Sequence, residues 1–128
     1  GKFKGRRGAR VHHLHVSVFD ITGKPGQHFR MPSDPEESLF VYIVDGSGSF
    51  GDGTEKRYPK TVAALFDSGD EFFVKASDEG IHFILFSGKP LKEPIVWGGP
   101  IVMNTREELL RAFEELSEGT FIKHKIHK

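Results

Sequence analysis

Short runs of strand-forming residues, each cut off by glycine, proline or aspartate, recur about every ten residues along this chain, and that spacing limits it to an all-β architecture. From Val11 the sequence alternates, with Leu14, Val16 and Val18 on one face and His13, His15 and Ser17 on the other. Gly23-Lys-Pro-Gly26 breaks this first strand. Ser38 to Val44 predicts a second, ended by the turn chemistry of Asp45-Gly46 and Gly48, and Phe50 followed by Asp52-Gly53 marks a further turn. Thr61 to Phe66, Glu71 to Lys75 and Ile81 to Phe86 read as three more strands, with Ser68-Gly69-Asp70 as a turn between the first two. The run Ile81 to Phe86 is almost continuously apolar, which predicts a central position. Many short strands at even spacing predict a closed barrel or a sandwich.

One helix is expected at the C-terminal side. Thr105 is a good N-cap, and Glu108 three residues on completes a capping box. Leu109, Leu110, Phe113 and Leu116 make an apolar face, Glu107 and Arg111 are spaced as an i,i+4 pair, and Gly119 fits the C′ position. The expected architecture is one β-barrel domain over residues 1–128 with this helix, Thr105 to Ser117, packed outside it.

Composition excludes several functions. The chain has 128 residues, about one domain, with 18 Lys+Arg against 18 Asp+Glu, so no global charge points to nucleic acid. The charge is uneven. Lys2, Lys4, Arg6, Arg7 and Arg10 make a basic, irregular arm, and Lys123, Lys125 and Lys128 a basic end; both read as solvated termini. Cysteine is absent, which removes disulfides, thiolate-bound zinc and thiol catalysis together and agrees with a reducing, cytoplasmic setting. No apolar run reaches the ~20 residues of a membrane-spanning helix.

The stretch Phe-Ser-Gly-Lys-Pro-Leu-Lys-Glu-Pro-Ile-Val-Trp-Gly-Gly-Pro-Ile-Val-Met-Asn-Thr, from Phe86 to Thr105, is the most specific segment. It resembles the C-terminal signature of the pirin family: a Gly-x-Pro-Leu-x-Glu-Pro loop, a Gly-Pro-Phe-Val-Met-Asn-Thr segment, then an acidic helix. The signature positions are Gly88, Pro90, Leu91, Glu93 and Pro94 in the first half, and Gly99, Pro100, Met103, Asn104 and Thr105 in the second. Ile101 stands where the family has Phe. The segments Val11 to Ile21 and Leu39 to Gly46 extend the resemblance upstream.

The resemblance implies a cupin fold, a double-stranded β-helix or jelly roll. Pirins are two-barrel proteins whose first barrel binds iron or another divalent metal through three His and one Glu, whereas the second generally does not. The opening Gly1-Lys-Phe-Lys-Gly-Arg-Arg-Gly resembles the segment joining the two halves. The chain is therefore expected to be the C-terminal barrel of a two-barrel protein, with the N-terminal barrel as its partner.

The cupin metal pattern can be laid on the residues in two ways. With Gly46 as the closing glycine of the first motif, the glutamate slot holds Leu39 and the His-x-His slot falls among Pro32, Ser33, Asp34 and Pro35. The second motif then opens at Gly69, and its histidine slot is Gly80, two residues from His82. The other placement uses His13-Leu14-His15 with Asp20 and Gly26, but Asp replaces Glu and the gap to Gly69 is too long. His12 lies on the opposite face to both histidines. The first placement predicts no metal and no cofactor in this chain. His28 and His82 are weak candidate ligands; His82 reads as a hydrogen-bonded core histidine. Met31 and Met103 read as core filler, and Trp97 as a barrel-mouth or interface residue.

Three functions compete. Some pirins resemble quercetin 2,3-dioxygenases, and in that reading this barrel supports a catalytic N-terminal one and is itself non-catalytic. Other pirins act as transcriptional co-regulators, which makes the chain a protein-interaction module. A stand-alone cupin binding a small ligand would need a polar pocket, for which only His28 and His82 argue. No membrane and no nucleic-acid partner is expected.

Overall fold

The structure is a computed structural model that describes residues 2–3, 5–9, 13–51, 53 and 56–123. Lys4, Arg10, Val11, His12, Asp52, Lys125 and Lys128 lie outside the described residues, and with them parts of the basic arm, the basic end and the Asp52-Gly53 turn. The chain divides into two compact units, residues 1–90 and 91–128.

The first unit is built on one long strand. In chain order its strands are β1 Lys2–Phe3, β2 Arg6–Arg7, β3 Val16–Gly23, β4 His28–Pro32, β5 Ser38–Phe50, β6 Tyr58–Pro59, β7 Ala63–Phe66 and β8 Glu71–Gly88. β8 runs for 18 residues. β5 pairs along one edge of it, and β4 and β3 pair in succession along the other, all antiparallel. The far edge of β5 takes β7 at Leu39–Tyr42 and β6 at Ser47–Gly48.

Ser77-Asp78-Glu79-Gly80 looks like a turn, yet it lies within β8 instead of separating the two expected strands. The reason is that β5 stays paired on both sides of it. Gly46 lies opposite Ile81 and Gly48 opposite Ala76, so residues 77–80 form a bulge that bends the sheet. Glycine makes the bend possible. Gly46 has φ +69°, and a Cβ there would stand 2.2 Å from the Gly80 carbonyl oxygen; one on Gly80 (φ +80°) would meet the Gly23 carbonyl oxygen at 2.9 Å.

Other expectations shift at strand ends. Among the described residues the first strand begins at Val16, opposite Gly88 where β8 ends, and Val11 lies outside them. β7 starts at Ala63, after Thr61 at φ 66°. The arm is not irregular: Lys2–Phe3 pairs with Arg6–Arg7 across Gly5 at φ 79°, and the Phe3 ring meets Phe19 edge-on at 5.1 Å. The strands β4 and β6 were not anticipated.

The core of this unit lies on the inner face. Val41, Ile43, Val74, Phe83 and Leu85 are fully buried, with Met31 also in the core as expected. Phe50, Phe66, Phe72 and Phe83 form one ring cluster with centroids 5.4–6.2 Å apart. Each such ring contributes about 1.5–3 kcal/mol by leaving water, with edge-on contacts adding to it.

The second unit is the hairpin β9 Val96–Gly98 with β10 Ile101–Met103, followed by α1 Arg106–Ser117. The capping box forms as expected: the Thr105 hydroxyl accepts from the Glu108 amide at 3.2 Å, and the Glu108 carboxylate accepts from the Thr105 amide at 2.9 Å. Gly119 takes C′ with φ 72°. The Thr120 amide bonds the Glu115 carbonyl and the Gly119 amide the Leu116 carbonyl, completing a Schellman end.

The helix buries a narrower stripe than its sequence suggests. Leu109 and Ala112 pack with Ile101, Val96 and Met103, while Leu110 and Leu116 stay exposed. A short hairpin can cover only one line of a helix. Gly98 sets the approach, since a Cβ there would lie 3.0 Å from Leu109 and 3.1 Å from Phe113. Arg111 pairs with Glu115 at 3.3 Å and not with Glu107. Glu115 also accepts from Lys123 at 2.8 Å, which concentrates charge at that end of the helix.

Candidate functional site

Three places in the first unit bear on the function expected of a cupin: the inner face, its mouth, and the outer face of the sheet. The inner face is where a cupin holds its metal. Here the slot set by Gly46 holds Leu39, which is buried in the core beside the phenylalanine cluster. The His-x-His slot is spent on the turn between β4 and β5. The Ser33 hydroxyl donates to the Gly69 carbonyl at 2.7 Å, the Asp34 carboxylate accepts from the Glu36 amide at 2.9 Å, and the Pro35 carbonyl accepts from the Ser68 hydroxyl at 2.7 Å. These residues do not fit a divalent metal: the interior side chains are hydrocarbon, and Asp34 is committed to its own turn. Among the described residues no group of three or more His, Asp or Glu converges as a metal site.

At the mouth is an open cavity of about 230 Å³ with Phe66 and Phe72 in its walls and Ser33, Asp34, Glu37 and Ser87 around them. Neither candidate histidine lines it. Lys89 bonds Glu36 beside this turn, and that hydrogen bond raises its pKa above the usual lysine value, with the Glu36 and Asp34 charges adding to the rise.

The candidate histidines sit elsewhere and apart. His82 is not a core residue. Ile81, Phe83 and Leu85 take the inner face, so His82 points outward, where its Nε2 lies 2.7 Å from the Asp20 carboxylate. His28 is exposed on β4, edge-on to Phe73 at 5.7 Å. His13 and His15 are exposed and precede β3. Asp20, their companion in the alternative metal placement, pairs with His82 instead.

The signature loop is organised by Asn104. Its side-chain amide donates to the Glu93 carboxylate at 3.0 Å and to the Pro94 carbonyl at 2.9 Å, while Thr105 beside it starts α1. Gly99 and Pro100 form the tip of the β9–β10 hairpin, with Gly99 at φ 55°. Met103 packs against the Ile101 cluster, as expected of core filler. Trp97 is exposed opposite Val102, its indole N–H donating to the Gly99 carbonyl. Gly88 and Pro90 end the first unit and Leu91 begins the second.

The outer face of the sheet is the feature that sequence reasoning missed. Val18, Phe86, Phe40 and Leu65 form one continuous row across β3, β8, β5 and β7. The next row is Asp20, Ile84, Tyr42 and Ala63. The Phe40 and Phe86 rings stack with centroids 4.7 Å apart. This apolar face is open to solvent: Val18 is 58% exposed, Phe40 38%, Tyr42 40% and Leu65 77%. The signal was present, because Ser38 to Val44 and Ile81 to Phe86 are apolar at both parities, as strands covered on both faces are.

A bent antiparallel sheet with a filled interior, followed by a hairpin and one capped helix, defines the cupin class. The chain belongs to the Pirin C-terminal cupin domain family, whose model matches residues 18–122. It is 30% identical over 120 residues to a pirin-like protein of Solanum lycopersicum, covering 93% of this chain and 41% of the relative. It is 46% identical over 83 residues to a Thermoplasma acidophilum protein provisionally named quercetin 2,3-dioxygenase, covering 65% of this chain and 31% of the relative. A crystal structure of quercetin 2,3-dioxygenase from Acinetobacter baumannii superposes with a TM-score of 0.84 at 30% identity, over 94% of this chain and 41% of that one. The chain thus spans about two fifths or less of the length of these relatives. Among the described residues no helix is long and apolar enough to cross a membrane.

Proposed function

We propose that residues 1–128 serve as the metal-free, supporting barrel of a two-barrel pirin, docked through the outer face of its sheet onto an N-terminal cupin barrel that holds the metal and performs quercetin 2,3-dioxygenase-type chemistry. The observation that carries this is the row Val18–Phe86–Phe40–Leu65. An apolar sheet face with stacked aromatic rings is unfavourable in water and marks a protein interface. The relatives extend well beyond the matched region, which supplies a partner of suitable size in the same chain. The interior supports a structural role: Leu39 and the phenylalanine cluster fill it with hydrocarbon, and among the described residues no three His, Asp or Glu side chains converge as a metal site.

The test is substitution of the face in the full protein. Phe40→Asp with Phe86→Asp is expected to expose the joint between the two halves to limited proteolysis and to lower flavonol turnover, while leaving the spectrum of the isolated 128-residue chain unchanged. Unaltered proteolysis and turnover would remove the docking role. The isolated chain supplied with iron is expected to cleave no flavonol. A metal at full occupancy inside this barrel, located by anomalous scattering, would contradict the supporting role.

A further inference from the structure

A second cavity, of about 380 Å³, opens where the bulge of β8 faces β5 and the turn after β3. It is lined by Gly26, Ser49, Arg57, Lys75, Ser77 and Asp78, with Ala76 completing the wall. This is large enough for a small organic molecule. It is separate from the mouth cavity, with which it shares no lining residue, and from the apolar outer row.

The chemistry of the lining is specific. Arg57 and Lys75 bring two positive charges to one cavity, and neither has an ion-pair or hydrogen-bond partner among the described residues. Ser49 and Lys75 are directly opposed in the β5–β8 ladder, so their side chains leave the sheet on the same side, roughly 5 Å apart at Cβ. The Ser49 hydroxyl makes no hydrogen bond among the described residues, and since no buried side-chain oxygen or nitrogen among them lacks a partner, it is open to the cavity. The wall itself is braced: the Gly26 amide donates to the Ser77 carbonyl at 3.0 Å, and the Ser77 hydroxyl accepts from the Glu79 amide at 3.2 Å. Among the described residues, the groups without a partner that can meet a ligand are therefore Arg57, Lys75, the Ser49 hydroxyl and the Asp78 carboxylate.

These four groups select a ligand. A guanidinium, an ammonium and a hydroxyl together suit a carboxylate, which the arginine fork can grip with two parallel hydrogen bonds. Asp78 disfavours a bare dianion and demands a donor on the same molecule. We infer that the cavity is a binding site for a small organic acid bearing a hydroxyl or ammonium beside its carboxylate, the class of the hydroxy- and amino-carboxylates. This assignment does not depend on how the two barrels dock.

The experiment is titration of the full chain with lactate, alanine and acetate, at ionic strength matched with chloride, read by calorimetry and by amide shifts. Lactate and alanine are expected to bind saturably, moving the Ser49, Lys75 and Ser77 amides, with acetate weaker by roughly tenfold because it leaves Asp78 unpaired. Arg57→Gln should weaken all three by roughly tenfold. Asp78→Asn should erase the advantage of lactate over acetate. Lys75→Gln, at an exposed position, repeats the charge test should Arg57→Gln fail to fold. Equal affinity for acetate and lactate would overturn the inference. Shifts reproduced by chloride alone, or binding unchanged by either charge substitution, would do the same.

Discussion

The inner and outer faces of β8 carry side chains of similar hydrophobicity with different fates. Phe83 and Leu85 are fully buried among the phenylalanine cluster. Ile84 and Phe86, their immediate neighbours, point the other way into a face whose companions Phe40 and Leu65 stand in water. The inner face finds all its partners within the first unit, and so it fixes the fold. The outer face also carries large apolar side chains, yet Val18, Phe40 and Leu65 stay exposed there, and it is the face we propose for docking. Hydrophobicity alone does not tell these two sets of residues apart; the completeness of their packing does.

Phe83→Ala should show the largest effect, a loss of about 3–5 kcal/mol, because it removes a fully buried ring and leaves a cavity. The denaturation midpoint checks it, and a loss below about 1 kcal/mol would mean that the inner face is not the core. Gly46→Ala should come next, at roughly 1–3 kcal/mol. It forces an L-residue to φ +69° with its Cβ against the Gly80 carbonyl, so the bend that carries both faces must relax. An unchanged midpoint would show that the sheet tolerates the bend without glycine.

Phe86→Ala, the outer counterpart of the first change, should cost the isolated chain only about 1–2 kcal/mol, mostly its stacking on Phe40. In the full protein the loss should be larger, and the difference between the two measurements reports how far the outer face is buried by its partner. Away from the sheet, Thr105→Ala should cost about 1 kcal/mol by breaking the capping box.

The smallest effect concerns pH. The hydrogen bond from Lys123 holds the Glu115 carboxyl below its usual range; partial burial opposes this, while the Lys123 charge and Arg111 assist it. A carboxyl whose pKa is depressed on folding adds stability above its unfolded pKa and loses it as the pH falls through the folded one. Thermal melts of the native chain and of Glu115→Gln should therefore differ at neutral pH and converge in acid. A gap independent of pH would mean that the charge is not what matters there.

Much of this was legible in the residues. Thr105, Glu108 and Gly119 announce the helix and its two ends because capping is local chemistry, confined to one turn of chain. The Phe86 to Thr105 segment identified the family because its Gly, Pro and Asn positions serve a loop in which Asn104 ties back to Glu93 and Pro94. The blank metal slots could be counted, since a ligand must be a particular residue type at a particular spacing. His82 was misplaced because its side depends on the phase of β8, which the bulge at residues 77–80 resets. The cavity of Arg57, Ser49, Lys75 and Asp78 could not be read at all, as Ser49 meets Lys75 only across the β5–β8 ladder and Arg57 joins them from the segment before β6.

By itself, then, the sequence determined the strand-rich class, the capped helix, the family and the lack of cupin ligands at the slots set by Gly46, all of which rest on residue type and short-range spacing. Only the tertiary structure decided which parity of each strand faces inward, how β8 runs unbroken through an apparent turn, and which charges share a cavity. Those depend on register between strands, and register is set by long-range pairing and by glycines that allow backbones to approach, neither of which is encoded in any single stretch of chain.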